Sequence, residues 1–243
     1  MYPTKTQRTQ RKNNWDPCTL QTNNQQVLKV YFISGLGADR RVFSFLDLSF
    51  CEPVFIDWIT PEAGETLSSY AMRLRALMPE EAPVIVGLSL GGMLAAEIAK
   101  ADSKAKAILI SSNKTSQEFP THLRVFKYIP LYKWMPGRML KTLQSFYTFT
   151  FAVMDKKQKE MMYRVIADAD IPFCRWAIGA VMHWDSTETA PNIIQIHGTK
   201  DKLLRMRYVK PDHIIPGGSH TMTLDKHAEV SALLKKLTEE AWS

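Results

Sequence analysis

The chain has 243 residues, 45% hydrophobic and 23% charged, a globular balance that excludes a disordered, collagen-like or disulfide-scaffold protein. Its net charge of +7 is uneven: residues 1–26 carry four bases against one acid, residues 113–190 carry eleven against seven, and the remainder carries sixteen of each. A nucleic-acid footprint would concentrate charge on the folded body, so nucleic acid is not an expected partner.

Residues 1–26 are polar and basic without periodicity and read as a flexible tail. They contain no apolar run of signal-peptide length, and the three cysteines, Cys18, Cys51 and Cys174, are scattered. A cytoplasmic protein without a disulfide framework is the expectation. From residue 27 onward, strand-length apolar runs alternate with helix-length patterns: a strand at 27–34, a helix near 40–46, a strand at 53–57, a helix at 67–78, a strand at 83–88, a helix at 90–100 and a strand at 106–111. Strands this continuously apolar belong to a parallel sheet covered on both faces. The most apolar stretch, 84–96, is too short to cross a bilayer and is interrupted by Gly87, Gly91 and Gly92, so no membrane span is expected.

The rhythm breaks over 113–190, where Pro120, Pro130, Pro136 and Pro172 punctuate short helical patterns. Lys156, Lys157 and Lys159 read there as a solvated helix face. Strand signals resume at 192–197 and 213–215, and an amphipathic helix over 225–241 closes the chain, with Asp225 as its expected N-cap. The predicted organisation is an α/β core of 27–112 and 191–243 carrying a helical insertion of 113–190.

Between the strand at 83–88 and the following helix stands Gly87-Leu88-Ser89-Leu90-Gly91-Gly92. This is the G-x-S-x-G pattern, in which small flanks let the chain reverse sharply and present a serine; the alternative is a structural glycine-rich turn. A serine hydroxyl needs a base to take its proton and an acid to orient that base. Asp201 and His220 each follow a later strand on a glycine-containing loop, in the order Ser, Asp, His. The other loop that could supply an acid reads Ser111-Ser112-Asn113 and has no ionisable group. The backbone N–H groups of Leu90 and of Leu36, in Ser34-Gly35-Leu36-Gly37, are the expected oxyanion donors. The competing reading of that loop, a phosphate-binding turn, lacks its third glycine because Arg40 stands there. His197 is expected to shape the acid loop. His122, His183, His213 and His227 have no partner at a recognisable spacing, and neither a metal nor a cofactor is expected.

With these residues in place the chain resembles the α/β-hydrolase superfamily, in particular its small capped esterase-like members, over 27–242. The resemblance implies a mostly parallel, doubly wound sheet of eight strands or slightly fewer, with 113–190 as a helical lid over Ser89. The usual His-Gly before the oxyanion donor is Ser34-Gly35 here. A serine at the elbow sets the chain apart from haloalkane dehalogenases and epoxide hydrolases, which attack with a carboxylate. The insertion holds 13 of the 25 aromatic residues and 6 of the 12 methionines, among them Phe126, Tyr132, Trp134, Phe146, Tyr147, Phe149, Phe151, Trp176 and Trp184. These could line an apolar chamber or glue the lid to the sheet. The expected function is a serine hydrolase, monomeric or homodimeric, that cleaves a small or medium apolar carboxylic ester or thioester through an acyl-enzyme. The alternative is a small-molecule receptor on the same scaffold with a slow or inactive triad. Acyl transfer, lyase and perhydrolase chemistry would use the same constellation.

Overall fold

Short runs dense in Val, Ile and Phe build the centre of the molecule. In the computed structural model, which describes residues 28–119, 128–151 and 154–242, they are β1 (Lys29–Ile33), β2 (Glu52–Ile56), β3 (Val84–Leu88), β4 (Lys106–Ile110), β5 (Ile193–Gly198) and β6 (His213–Ile215). The tail read at 1–26 and Phe126 lie outside the described residues. The six strands form one wholly parallel sheet in the order β2-β1-β3-β4-β5-β6. All five residues of β3 are buried, because helices cover both faces of the sheet at its middle.

Alternation along the strands sorts the core into two halves. Tyr31, Ile33, Ile85 and Leu109 face Leu67, Tyr70 and Leu74 of α1 (Leu67–Arg75) and Leu94 and Ile98 of α2 (Leu90–Ala101). Val30, Phe32, Val86 and Ile108 face Phe43 and, from α7 (His227–Trp242), Val230, Leu234 and Leu237. Each such side chain, fully buried, contributes about 1.5–3 kcal/mol relative to exposure.

Between β4 and β5 the described residues form three α-helices, α3 (Gly137–Phe151), α4 (Lys156–Asp168) and α5 (Ile171–Met182). Their starts are written locally. Asp155 and Gln158 make a reciprocal capping box on α4, and Asp170 accepts the Phe173 N–H at the head of α5 with Pro172 in its first turn.

Two expected elements differ. The helix near 40–46 is a single 3-10 turn, Arg40–Phe43, whose N-cap Asp39 accepts the Arg41 N–H at 2.9 Å. The closing helix is split into α6 (Met222–Asp225) and α7, so Asp225 ends a short helix instead of capping a long one. Its carboxylate is used elsewhere, accepting the Ser219 N–H at 3.2 Å.

Because every strand is parallel, all carboxyl ends lie at one edge. The chain runs outward from β1 to β2 and then back past β1 to β3, and the crevice at such a reversal is where ligands of open α/β sheets bind.

Candidate active site

Ser89 follows β3 directly and holds φ 52° and ψ −114°, a conformation that costs a non-glycine residue about 1–3 kcal/mol. The surroundings impose it. The Ser89 N–H donates to the Ile110 carbonyl at 2.9 Å, while its own carbonyl accepts from Gly92 N–H (3.0 Å), Met93 N–H (3.2 Å) and the Ser112 hydroxyl (2.5 Å). The turn closes only over small flanks: a Cβ on Gly87 would lie 2.2 Å from the Gly91 carbonyl oxygen. Leu90, the first residue of α2, carries one of the N–H groups that a helix start leaves without an intrahelical acceptor.

The loop after β1 approaches the same point, with Gly35 close enough that a Cβ there would sit 3.5 Å from Ser89 Cβ. In place of the family's histidine, the Ser34 hydroxyl donates to the Ala38 carbonyl at 2.9 Å, and the Trp58 indole donates to that carbonyl at 2.8 Å.

The loops after β5 and β6 are stapled together. The N–H of Lys200 donates to the Gly218 carbonyl (2.9 Å), that of Thr199 to Ile215 (3.2 Å), and that of Gly217 to the Thr199 hydroxyl (2.8 Å). This approach needs Gly198, since a Cβ there would meet the Gly218 carbonyl oxygen at 2.2 Å. Asp201 Oδ1 accepts the N–H groups of Leu203 (2.9 Å) and Leu204 (2.8 Å), which leaves Oδ2 2.8 Å from His220 Nδ1. His220 Nε2 lies 3.0 Å from Ser89 Oγ. A carboxylate can only accept, so Nδ1 carries the proton and Nε2 offers its lone pair to the serine hydroxyl. Burial alone would raise the Asp201 pKa. The field and hydrogen bond of His220, with His197 and the Leu204 N–H, outweigh it and hold the carboxyl below its usual range.

Ser89 and His220 border a cavity of about 370 Å³. Leu36 and Leu90 reach it from below, and Leu140, Leu143, Met162, Cys174, Ile178 and Met182 of α3–α5 wall it. Among the described lining residues Lys141 is the one Lys, Arg, Asp or Glu, and its ammonium donates to the Ala167 carbonyl.

Residues 30–233 match the profile of the alpha/beta hydrolase family. The chain belongs to that family. Solved structures of similar shape include a thermophilic esterase from Thermogutta terrifontis (TM-score 0.69, 14% identity, 89% of this chain and 91% of that chain covered) and an esterase from Exiguobacterium antarcticum (0.68, 15%, 89% and 92%). Another is an N-acyl homoserine lactonase (0.64, 14%, 89% and 90%). At these identities the likeness is one of fold. No curated protein matches the chain significantly.

Within this alpha/beta hydrolase, the described aromatic side chains of the insertion contribute little to the cavity. Phe119 is the only aromatic residue in its described lining besides His220. Trp176 packs on Tyr70 of α1 (ring centroids 4.4 Å apart), Phe173 stacks on Trp58 (4.6 Å), and buried Trp184 lies under Lys100. Tyr132 is buried and Trp134 exposed. The side chains of Phe146, Tyr147, Phe149 and Phe151 lie outside the described residues.

Behind the site, His197 is expected from the sequence to shape the acid loop, whereas Gln195 is not singled out. His197 is fully buried, its Nε2 lies 2.6 Å from the Leu204 carbonyl, to which it donates, and 3.5 Å from Asp201 Oδ2, and burial lowers its pKa. Gln195 donates to the Ser112 carbonyl at 2.8 Å, and Ser112 in turn holds Ser89. A glutamine and a histidine inside the otherwise apolar strand Ile193–Gly198 were the available signal. Among the described residues no group of three or more His, Cys, Asp or Glu could hold a metal, and no helix is long and apolar enough to cross a membrane.

Proposed function

We propose that the chain is a serine hydrolase that cleaves small or medium apolar carboxylic esters, thioesters included, through an acyl-enzyme. The observation that carries this reading is the hydrogen-bonded series Ser89–His220–Asp201 at the floor of an apolar cavity. Ser89 Oγ attacks the ester carbonyl carbon as His220 Nε2 takes its proton, and the anionic Asp201 stabilises the imidazolium. The N–H groups of Leu36 and Leu90 hold the tetrahedral oxyanion. Collapse expels the alcohol or thiol, which receives the proton from Nε2 and leaves the acyl group on Ser89. Water then adds to that carbonyl, giving a proton to Nε2, and the acid departs as Ser89 regains its proton.

The helices α3–α5 act as a lid that excludes bulk water and selects the acyl chain. A volume of about 370 Å³ lies near the lower end of the roughly 300–1,000 Å³ of small-molecule pockets, which favours a small or medium substrate. Apart from Lys141, whose ammonium is held by the Ala167 carbonyl, the described lining offers a charged acyl group no ionic partner for the hydration it would lose. The test is a panel of p-nitrophenyl esters and one thioester of graded acyl length, run on the wild type and on Ser89→Ala. Turnover should peak at short to medium chains and fall at least about a thousandfold in the variant. Equal turnover by the variant would refute the reading.

A further inference from the structure

Nine large apolar side chains are exposed among the described residues, and six of them, Tyr128, Ile129, Leu131, Trp134, Met139 and Leu143, fall within residues 128–143. Concentration on this scale marks an interaction surface. The segment is held firmly from beneath. Tyr132 is buried against Gly179 of α5, Leu140 is buried in the cavity wall, and the Arg175 guanidinium donates to the Met135 carbonyl at 2.8 Å. With those groups turned inward, the intervening Leu131, Trp134 and Met139 point out. Leu131 and Trp134 are one turn apart at the 3-10 helix Leu131–Lys133, where residues three apart eclipse. Met139 and Leu143 are one turn apart on α3.

We propose that this face docks on an anionic phospholipid surface and sets the cavity mouth against the lipid. Three observations select that partner. First, residues 128–143 contain Lys133, Arg138 and Lys141 and no acid. The carboxylates packed nearby are engaged, Asp168 by Arg41 at 2.8 Å and Asp170 by the Phe173 N–H at 3.2 Å. Basic residues at a membrane surface attract anionic headgroups and lay their stems along apolar neighbours. Second, Tyr128 and Trp134, 80% and 74% exposed, are the residue types that settle at headgroup depth. Third, Leu143 is both exposed and part of the cavity wall, so the patch is continuous with the cavity. A second copy of the chain is disfavoured as occupant, since apposing two such faces sets like charges together. The docking stands apart from the hydrolase reading; only its use, loading an ester dissolved in lipid, rests on that reading.

The experiment is cosedimentation of the full chain with vesicles of phosphatidylcholine alone and of an equimolar phosphatidylcholine–phosphatidylglycerol mixture. Binding to the mixture should exceed binding to the neutral vesicles at least tenfold (about 1.4 kcal/mol, less than two basic residues contribute) and be weakened by about 0.5 M salt. Leu131→Ser with Trp134→Ser should lower it at least about tenfold, with turnover of a short water-soluble ester within about twofold of wild type. Lys133→Glu with Arg138→Glu, which alters only exposed side chains, should lower it more than about twentyfold and covers the case in which the first pair fails to fold. Absence of vesicle binding, equal binding to both vesicles, or binding that survives both pairs would overturn the proposal. So would a wild-type dimer that the charge reversals disperse and that binds no vesicles. Vesicle binding sensitive to both pairs, in a protein that hydrolyses no ester, would uphold the docking and remove the hydrolase reading.

Discussion

Replacing Asp201 by Asn exchanges a single oxygen for an NH2 group, yet the geometry predicts that it disables the proposed relay. Oδ1 of Asp201 accepts two buried backbone N–H groups, at 2.9 and 2.8 Å from Leu203 and Leu204. The asparagine must keep its carbonyl oxygen there, because an NH2 group would leave both donors unpaired at about 1–3 kcal/mol each. Its NH2 therefore occupies the place of Oδ2, 2.8 Å from His220 Nδ1. A donor at that point forces Nδ1 to accept, so the imidazole proton moves to Nε2 and faces Ser89 Oγ, 3.0 Å away. The serine then has no proton acceptor, and the imidazolium of the transition state loses its counter-charge. The same exchange in a serine protease relay lowers kcat about 10⁴-fold, equivalent to roughly 5.5 kcal/mol at 1.36 kcal/mol per decade. The assay is kcat on p-nitrophenyl butyrate for wild type and Asp201→Asn, with circular dichroism and thermal melting as folding controls. A loss of at least about a thousandfold is expected in a variant that keeps the wild-type circular dichroism spectrum and a cooperative melt. A folded variant within about tenfold of wild type would refute the reasoning.

Stability should report the same carboxylate. Its pKa is lowered in the folded state, so its contribution is complete above the ordinary carboxylate value near 4 and is lost as pH falls through the folded value. In urea melts, the advantage of wild type over Asp201→Asn should thus shrink below about pH 4; a constant or growing difference would contradict the assignment. Gly198→Ala drives a Cβ to 2.2 Å from backbone oxygen, so the variant should lose about 2 kcal/mol or more of unfolding free energy and most of its activity. Unfolding and turnover like those of wild type would count against the close packing of the acid and histidine loops. Ile178→Trp, which adds bulk to the cavity wall, should lower kcat/KM for the longest accepted esters at least about tenfold and spare the acetate; uniform loss across chain lengths would argue against a role for this wall in selecting acyl length.

Much of the sheet could be read from the chain because buried parallel strands are continuously apolar, and even the three-residue β6 stood out between turn residues. The elbow was legible through its glycines, whose hydrogens touch backbone that any side chain would strike. Chain order then singled out the loops carrying Asp201 and His220. Other features were hidden because they depend on partners remote in sequence. The apolar spacing around 40–46 suits a helix, yet Asp39 and Arg41 lock a single tight turn there. Asp225 has the composition of a cap, but the Ser219 N–H claims its carboxylate. The aromatic residues of α5 face α1 and Trp58, so that α5 meets the cavity through Ile171, Cys174, Ile178, Val181 and Met182; composition cannot reveal which way a helix is turned. The link from Gln195 through Ser112 to Ser89 joins three segments remote in sequence.

Ser89 Oγ is the atom proposed to receive the acyl group. Intact-mass and peptide mass spectrometry after treatment with a fluorophosphonate measures this directly. One stoichiometric adduct on Ser89, absent from Ser89→Ala and slowed in Asp201→Asn, is the predicted result. Labelling elsewhere, or a wild-type chain that stays unmodified while it hydrolyses esters, would contradict it.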